Sequence, residues 1–142
     1  MVAIRRMNFD DLHIVTEIER LLWPNYPWTA DDFINSGCNC YVLLEDGFIV
    51  GYSVFYVNNK VSFIANISIR PDKQRQGFGR LMLSYLVNKA RKSRSNKIEL
   101  EVDVANNRAI RLYESFGFQI MNNHHQYYAR TQGDSFKMQL RL

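Results

Sequence analysis

Three consecutive strand-like segments, separated by short turns, constrain the fold of this 142-residue chain more than any other feature. CYVLLE at 40–45 is followed by Asp46-Gly47 and FIVGYSVFYV at 48–57, and Asp-Gly is a preferred two-residue hairpin turn. A second turn at 58–60 leads into VSFIANISI at 61–69. Strands joined by such short turns lie antiparallel, because a parallel connection needs a crossover of about a dozen residues or more. The sequence therefore predicts a run of three antiparallel strands.

Helices and strands alternate in the rest of the chain. The other predicted elements are a strand at 2–6, helices at 8–22 and from 29, a helix at 80–94, a strand at 97–104, a helix from 106 or 107 to 116, and strands at 118–128 and 135–142. Asn8 is expected to cap the first helix, whose apolar stripe is Ile14, Ile18 and Leu21 or Leu22. This order predicts a mixed α/β (α+β) fold, with a mostly antiparallel central sheet of about seven strands flanked by about four helices.

Composition limits the class of protein. A chain of this length with 46% hydrophobic residues predicts one packed domain over residues 1–142. The net charge of +4 suits an anionic ligand or substrate but is too small to indicate nucleic-acid binding, so no direct nucleic-acid contact is expected. There is no apolar run typical of a signal peptide or long enough to cross a membrane. We therefore expect a soluble cytoplasmic protein with no membrane partner.

The two cysteines do not indicate a metal site. Cys38 and Cys40 are separated by one residue, and the adjacent His124 and His125 are the only candidate pair of further ligands. Neighbouring side chains on a strand point to opposite faces, so His124 and His125 are poorly placed to bind one ion. Two unpaired thiols instead indicate a reducing compartment, and we expect no metal.

The segment DKQRQGFGR at 72–80 joins a predicted strand to a predicted helix, and it is suited to binding a phosphate. Free backbone N–H groups and the helix dipole attract anions at such a position, and Gly77 and Gly79 permit a close approach of the backbone. A plain turn that needs small residues would explain the glycines equally well. A P-loop is excluded because Arg80-Leu81 follows Gly79 in place of Lys-Ser/Thr. A dinucleotide-binding fingerprint is excluded because Met82 occupies the third glycine position.

A third pattern fits this segment. Gln74-x-x-Gly77-x-Gly79 resembles the acetyl-CoA pyrophosphate loop of the GNAT N-acetyltransferases. The resemblance extends over nearly the whole chain and is sharpest for the bacterial RimI-type protein N-terminal acetyltransferases, which act on the N-terminal alanine of a ribosomal protein. LEVDVANNRAIRLYESFGF at 100–118, QYY at 126–128 and the closing KMQL carry this similarity.

The resemblance implies a sheet whose central strands splay apart at the cofactor site. It implies that the strand before the loop pairs with the pantetheine arm of acetyl-CoA, that the loop amides hold the pyrophosphate, and that an asparagine contacts the cofactor. The cofactor-binding residues implied in this way are Ile67, Ser68, Ile69, Gln74, Arg75, Gln76, Gly77, Phe78, Gly79, Arg80 and Asn106.

The resemblance also implies two catalytic residues, Glu101 as the base and Tyr113 as the acid. From the pattern alone, Glu101 would be a solvent-facing strand residue, and Glu99 and Asp103 share its face. Tyr113 likewise falls on a helical core stripe. The implied mechanism is direct attack of an amine on acetyl-CoA in a ternary complex without an acetyl-enzyme, because neither cysteine has a histidine placed beside it in the sequence.

The acceptor side is less defined by the sequence. Tyr127 and Tyr128 match a tyrosine pair that grips the peptide backbone in related N-terminal acetyltransferases, and Tyr26 lies in WPNYPW, where the family has its peptide-groove loop. Ala129 and His124-His125 depart from the family pattern on this side. The resemblance implies a protein N-terminus as the acceptor, in a monomer or weak dimer. A GNAT enzyme for a polyamine, an aminoglycoside or an amino acid, and a non-catalytic acyl-CoA-binding module, remain alternatives.

Overall fold

The computed structural model describes residues 1–121, 126–128 and 133–142, and for Gln126–Tyr128 it gives the strand without the side chains. These residues form eight strands and four α-helices. The strands are β1 (Val2–Arg6), β2 (Asn39–Glu45), β3 (Phe48–Asn58), β4 (Val61–Ile69), β5 (Lys97–Asp103), β6 (Gln119–Ile120), β7 (Gln126–Tyr128) and β8 (Gly133–Arg141). The helices are α1 (Leu12–Leu22), α2 (Ala30–Asn35), α3 (Phe78–Lys92) and α4 (Asn107–Ser115).

All the strands belong to one sheet, in the order β1-β2-β3-β4-β5-β8-β6, with β7 paired to β8 beside β6. Every pairing is antiparallel except that of β4 with β5, which follows the crossover through α3. The predicted run of three antiparallel strands is confirmed, and it corresponds to β2, β3 and β4. The predicted mixed α/β fold with a mostly antiparallel sheet is also confirmed. One predicted strand, at 118–128, corresponds to the two short strands β6 and β7.

Helices cover both faces of the sheet. Cys40 and Val42 pack with α1 and α2, whereas the alternate residues Tyr41 and Leu43 pack with α3. Because neighbouring strand residues point to opposite faces, the two core clusters lie on opposite sides of the sheet. None of the helices among the described residues combines the length and the apolarity needed to span a membrane.

The first helix begins where Asn8 was expected to cap it, and its buried face contains the predicted stripe. A 3-10 turn at Phe9–Asp11 precedes α1, and the Asp11 carboxylate accepts the Asn8 backbone N–H at 2.8 Å. Leu21 is 66% exposed, while Val15 and Ile18 are fully or nearly fully buried. The predicted stripe is therefore confirmed with Leu22 as its last residue, since Ile14 and Leu22 pack against the core cluster that contains Ile18 and Val15.

The two central strands separate halfway along their length, as the resemblance implied. The β4–β5 register runs from Val61 opposite Lys97 to Ile64 opposite Leu100 and ends there, although both strands continue. The β3–β4 register shifts at the same place, leaving Ala65 as an extra residue in β4. Such a bulge bends its strand and increases the local twist. The bulge at Ala65 therefore turns the end of β4 away from β5 and opens a gap between them.

Gly51 on β3 allows the end of β4 to approach closely. A Cβ atom at this position would lie 2.7 Å from the Ser68 carbonyl oxygen and 2.6 Å from the Ile69 Cδ1 atom. The side chain of Ile69 could rotate away, but the Ser68 carbonyl belongs to the backbone of β4. The absence of a side chain at Gly51 therefore permits the close position of the strand segment that borders the gap.

We predict that Gly51→Ala destabilises the protein by about 1–3 kcal/mol, because the added methyl group must displace the backbone of β4. Chemical denaturation followed by circular dichroism measures this change. Gly79→Ala is the matched control, since its Cβ atom would meet Leu112 Cδ2 at an ordinary contact distance of 3.6 Å. Equal stability of the Gly51→Ala variant and the wild type would show that β4 adapts without cost.

Candidate active site

The gap between β4 and β5 forms a cavity of about 340 Å3. Its walls come from both strands and from α4, and they include Ala65, Ile67, Glu101, Asn106 and Tyr113. Glu101 is the first β5 residue beyond the last β4–β5 pair. The cavity therefore places a carboxylate and a phenol next to strand backbone that has no β5 partner.

A second cavity, of about 440 Å3, continues from the first and is strongly basic. The two cavities share four lining residues, namely Ile67, Asn106, Ala109 and Tyr113. Five cationic residues line the second cavity, and none of its described lining residues is an aspartate or glutamate: they are Lys73, Arg75, Arg80, Arg108 and Arg111. A concentration of cations in a cleft favours a polyanionic ligand.

The glycine-containing loop borders this basic cavity with an unusual backbone. Gly77 caps α3 in a left-handed conformation, with φ of 87°. Arg75 is also left-handed, with φ of 66°, which costs a non-glycine residue roughly 1–2 kcal/mol. Left-handed residues in such turns direct successive N–H groups into an anion-binding concavity, and the first turn of α3 adds its own free N–H groups. The geometry fits a pyrophosphate. Gly79 has room for a methyl group, so the fold alone does not require glycine there.

Gln74 links the loop to the neighbouring elements. Its Nε2 donates to the Ile69 carbonyl at 3.0 Å, and its Oε1 accepts from Arg108 at 2.9 Å. The Ile69 carbonyl therefore faces the open edge of β4. Backbone groups of alternate strand residues point to the same edge, so Ile67 presents its amide and carbonyl there as well. Ser68 points its backbone groups toward β3, and its side chain is buried.

Three acidic residues of β5 share one face, but their environments differ. Glu99 is buried and lies 3.1 Å from the Lys137 ammonium and 3.5 Å from that of Lys97. The Asp103 carboxylate accepts the Ala105 backbone N–H at 2.8 Å, which fixes the turn before α4. Glu101 is exposed, and it lines both the cavity between the strands and a third cavity of about 280 Å3 beside Tyr56 and Lys137.

Tyr113 combines a core contact with exposure to the site. Its ring lies 5.7 Å from that of Phe118 at a tilt of 59°, and its side chain is half-buried. The same residue lines both the cavity between the strands and the basic cavity. The two interpretations of this tyrosine from the sequence, as a core residue and as a site residue, are therefore compatible.

Among the predicted acceptor residues, the structure describes the side chain of Tyr26 and only the backbone of Tyr127 and Tyr128. Tyr26 is 52% exposed and is not among the residues that line the cavity between the strands. Trp23, at the start of the same loop, does line it. The backbones of Tyr127 and Tyr128 lie on β7 opposite Asp134 and Gly133, while their side chains, together with Ala129 and His124-His125, are outside the described residues.

The cysteines lie away from these cavities. Cys38 and Cys40 line a separate depression beside α2. Burial raises the pKa of the Cys40 thiol to about 11, so this thiol is almost entirely protonated at neutral pH. Within the part of the chain that the structure describes, no three His, Cys, Asp or Glu side chains come together as a group that could hold a metal ion.

Sequence reasoning missed two of the cations and one of the aromatic residues at the site. Arg108 and Arg111 are three residues apart on α4, so they share one helix face, and their spacing after Asn106 could have indicated it. No pattern in the sequence around Trp23 indicated that this residue would line the site. It directly follows α1, and only the packing of that helix directs it toward β4.

Comparison with known proteins shows what this arrangement is similar to. The model of the Acetyltransferase (GNAT) family matches residues 5–118. The [ribosomal protein bS18]-alanine N-acetyltransferase of Escherichia coli (strain K12) is 32% identical over 136 residues, which are 94% of this chain and 91% of that protein. The crystal structure of the ribosomal-protein-S18-alanine N-acetyltransferase from Escherichia coli superposes with a TM-score of 0.87 at 30% identity, covering 99% of this chain and 94% of that one.

A more distant structure shares the fold alone. The PaiA N-acetyltransferase from Thermoplasma acidophilum, solved in complex with coenzyme A, superposes with a TM-score of 0.84 at 15% identity and covers 100% of this chain and 99% of that one.

We predict that Arg111→Glu weakens acetyl-CoA binding by at least about tenfold, or about 1.4 kcal/mol, because it places a negative charge at the basic cavity. Isothermal titration calorimetry at low and high salt measures the effect, which should shrink as salt screens the charge. Arg91→Glu is the matched control. It changes the net charge by the same amount, but Arg91 lies in the last turn of α3, whereas the basic cavity lies at the first turn. Equal losses in both variants would mean that only the overall charge matters.

Proposed function

Because this chain belongs to the GNAT acetyltransferase family, it is an acetyl-CoA-dependent N-acetyltransferase, and we propose that it acetylates the N-terminal α-amine of a protein. We propose the N-terminal alanine of a small-subunit ribosomal protein as the acceptor, as the names of the relatives indicate for those proteins. One observation carries the proposal: Glu101 lies where the cavity between the strands meets the third cavity. An acceptor amine can therefore reach Glu101 from the side opposite the basic cavity.

The family and fold inferred from the sequence are thereby confirmed. The loop motif at 74–79 and the NNRAIRLYESFGF segment carried that inference, and both lie within the matched residues 5–118. Three features of the structure agree with this family match: the splayed sheet, the parallel β4–β5 pair and the basic cavity.

The basic cavity fits acetyl-CoA, which supplies the acetyl group as an activated thioester. The backbone of Arg75 to Arg80 and the first turn of α3 would hold the pyrophosphate, with the loop cations beside it. Ile67 and Ile69 would hydrogen-bond the pantetheine arm along the open edge of β4. Asn106, whose side chain caps α4 at the Ala109 N–H, also lines both cavities and would contact the arm.

Glu101 would accept the proton that the acceptor amine must lose, either directly or through a water molecule. An α-amine has a pKa near ~8, so roughly a tenth is already neutral at pH 7, whereas a lysine amine near ~10.4 is far less available. Tyr113 would donate a proton to the departing sulfur, because it lines the site on the side of the basic cavity. Attack would be direct, since neither cysteine lines the gap.

The setting of the reaction belongs to the same proposal. We place the protein in the cytoplasm, as a single domain over residues 1–142 and as a monomer or weak dimer. Tyr26, Tyr127 and Tyr128 would contact the peptide from the loop at 23–28 and from β7.

A small cationic amine is the second candidate acceptor, and the third cavity is the observation in its favour. Glu99 and Glu101 both line it and would attract a polyamine. The ion pairs of Glu99 with Lys97 and Lys137 reduce this attraction, so we favour the peptide.

We predict that Tyr113→Phe and Glu101→Gln each lower kcat by about 10²- to 10⁴-fold while acetyl-CoA binding is largely retained. Asp103→Asn is the comparison on the same strand face: Asp103 also lines the cavity between the strands, but its carboxylate is occupied by the turn before α4, so we expect a much smaller loss of kcat. Thiol release at saturating substrates measures kcat. Activity within a few-fold of the wild type in either catalytic variant would contradict the role assigned to that residue.

We predict turnover of an alanine-starting peptide from a small-subunit ribosomal protein, and none when its N-terminus is blocked. The measurement is thiol release from acetyl-CoA, with spermidine as the competing acceptor. Turnover of spermidine alone would keep the family and overturn the substrate. Tight acetyl-CoA binding without turnover of either acceptor would favour a non-catalytic acyl-CoA-binding module.

A further inference from the structure

Glu19 is a fully buried carboxylate in the middle of the fold, and the chemistry above does not use it. It lies on α1, and its two oxygens have different partners. Oε1 accepts the phenol of Tyr52 on β3, and Oε2 accepts the backbone N–H of Trp28 at 2.9 Å. A buried carboxylate is costly unless it is hydrogen-bonded, and these donors offset part of that cost.

Glu19 holds both ends of the loop at 23–28. Its carboxylate binds Trp28 at the end of the loop, and its backbone carbonyl accepts the Trp23 N–H at 2.8 Å at the beginning. Trp23 also lines the cavity between the strands. The Trp28 ring packs edge-on against Phe33 at 5.1 Å, so the loop is fixed at its end by packing as well. The Glu19 side chain thus ties the end of this loop to α1, while an ordinary helical backbone bond to the same residue closes the helix where the loop begins.

Tyr52 connects Glu19 to the strand that borders the gap. It is fully buried and lies opposite Ser68 in the β3–β4 register. Burial raises the pKa of its phenol well above the ordinary value, and the influence of the neighbouring Ser68 and Asn66 side chains offsets this only in part. The phenol therefore stays protonated and donates to Glu19. The Ser68 hydroxyl in turn donates to the Asn66 side chain at 2.8 Å, and Asn66 lines the cavity between the strands.

We propose that Glu19 and Tyr52 are positioning residues that couple the loop at 23–28 to β4 and so set the acceptor against the acetyl group. The inference rests on the proposed acceptor site, which that loop borders. Hydrogen bonds run from the Trp28 backbone through the Glu19 carboxylate to the Tyr52 phenol. Tyr52 in turn pairs in the β3–β4 register with Ser68, whose hydroxyl donates to the Asn66 side chain. A shift of about 1 Å in such a supporting element can cost about 10²-fold in rate without any contact to the substrate.

Tyr52→Phe tests the coupling, because it removes one hydroxyl and keeps the ring in the core. We expect KM for the alanine-starting peptide to rise about tenfold or more, with the dissociation constant of acetyl-CoA within about twofold of the wild type. Glu19→Gln retains an oxygen for the Trp28 N–H, so it should raise the peptide KM less than Glu19→Ala does. Hydrogen exchange at the Trp28 amide should follow the same order.

Ser62→Ala is the matched control. Its hydroxyl forms a buried hydrogen bond of 2.6 Å with Ser95, away from both the loop and the gap, so its loss should lower the Tm without changing the peptide KM. A lowered Tm with an unchanged peptide KM in Tyr52→Phe would overturn the proposal and leave a purely structural role. An equal loss of acetyl-CoA affinity would overturn it too, by placing the effect on the cofactor strand. Failure of the proposed acceptor would appear separately, as wild-type protein with no turnover of the peptide.

Discussion

The site depends on a gap in the sheet, where β4 and β5 do not hydrogen-bond to each other. Their pairing ends at Ile64 and Leu100, next to the bulge at Ala65, and beyond this point each strand turns a row of backbone groups toward the gap. Unpaired backbone groups that are removed from water are costly, so they need other partners. Gln74 satisfies one of them at Ile69. The rest provide an edge to which an extended amide-containing ligand can bind as a strand would, and the cofactor of this family has such an arm.

The charged side chains around the gap are divided between the two faces of the sheet. The cations of the basic cavity come from the loop after β4, from α3 and from α4. The acids of β5 lie on the other face of the sheet, where lysines 97 and 137 neutralise Glu99 and leave Glu101 exposed. The sheet therefore separates a basic surface, which suits an anionic ligand, from the face that carries Glu101, where we propose that the acceptor amine binds.

The sequence predicted the parts of this arrangement that depend on local chemistry. The Asp46-Gly47 turn, the strand alternation in KIELEVDV and the glycine at the start of α3 each determine a conformation from a few residues. The bulge at Ala65 has no such local pattern, so only the family resemblance indicated the gap. The sequence left open whether Leu21 or Leu22 completes the apolar stripe of α1, and packing against β3 selects Leu22. A buried role for Glu19 was not predictable either, because its partner Tyr52 is 33 residues away in the sequence.

The small number of residue pairs between β4 and β5 also affects the stability of the fold. The sheet consists of one half from β1 to β4 and another from β5 to β8, and four register pairs join them. A ligand that hydrogen-bonds to β4 and also contacts α4 would link the two halves of the sheet. Ligand that binds only the folded state adds about 2.7 kcal/mol of stability at a concentration one hundred times its dissociation constant. In the proposed binding mode acetyl-CoA is such a ligand, and we therefore expect the resistance of this enzyme to unfolding and proteolysis to rise with the supply of its own substrate.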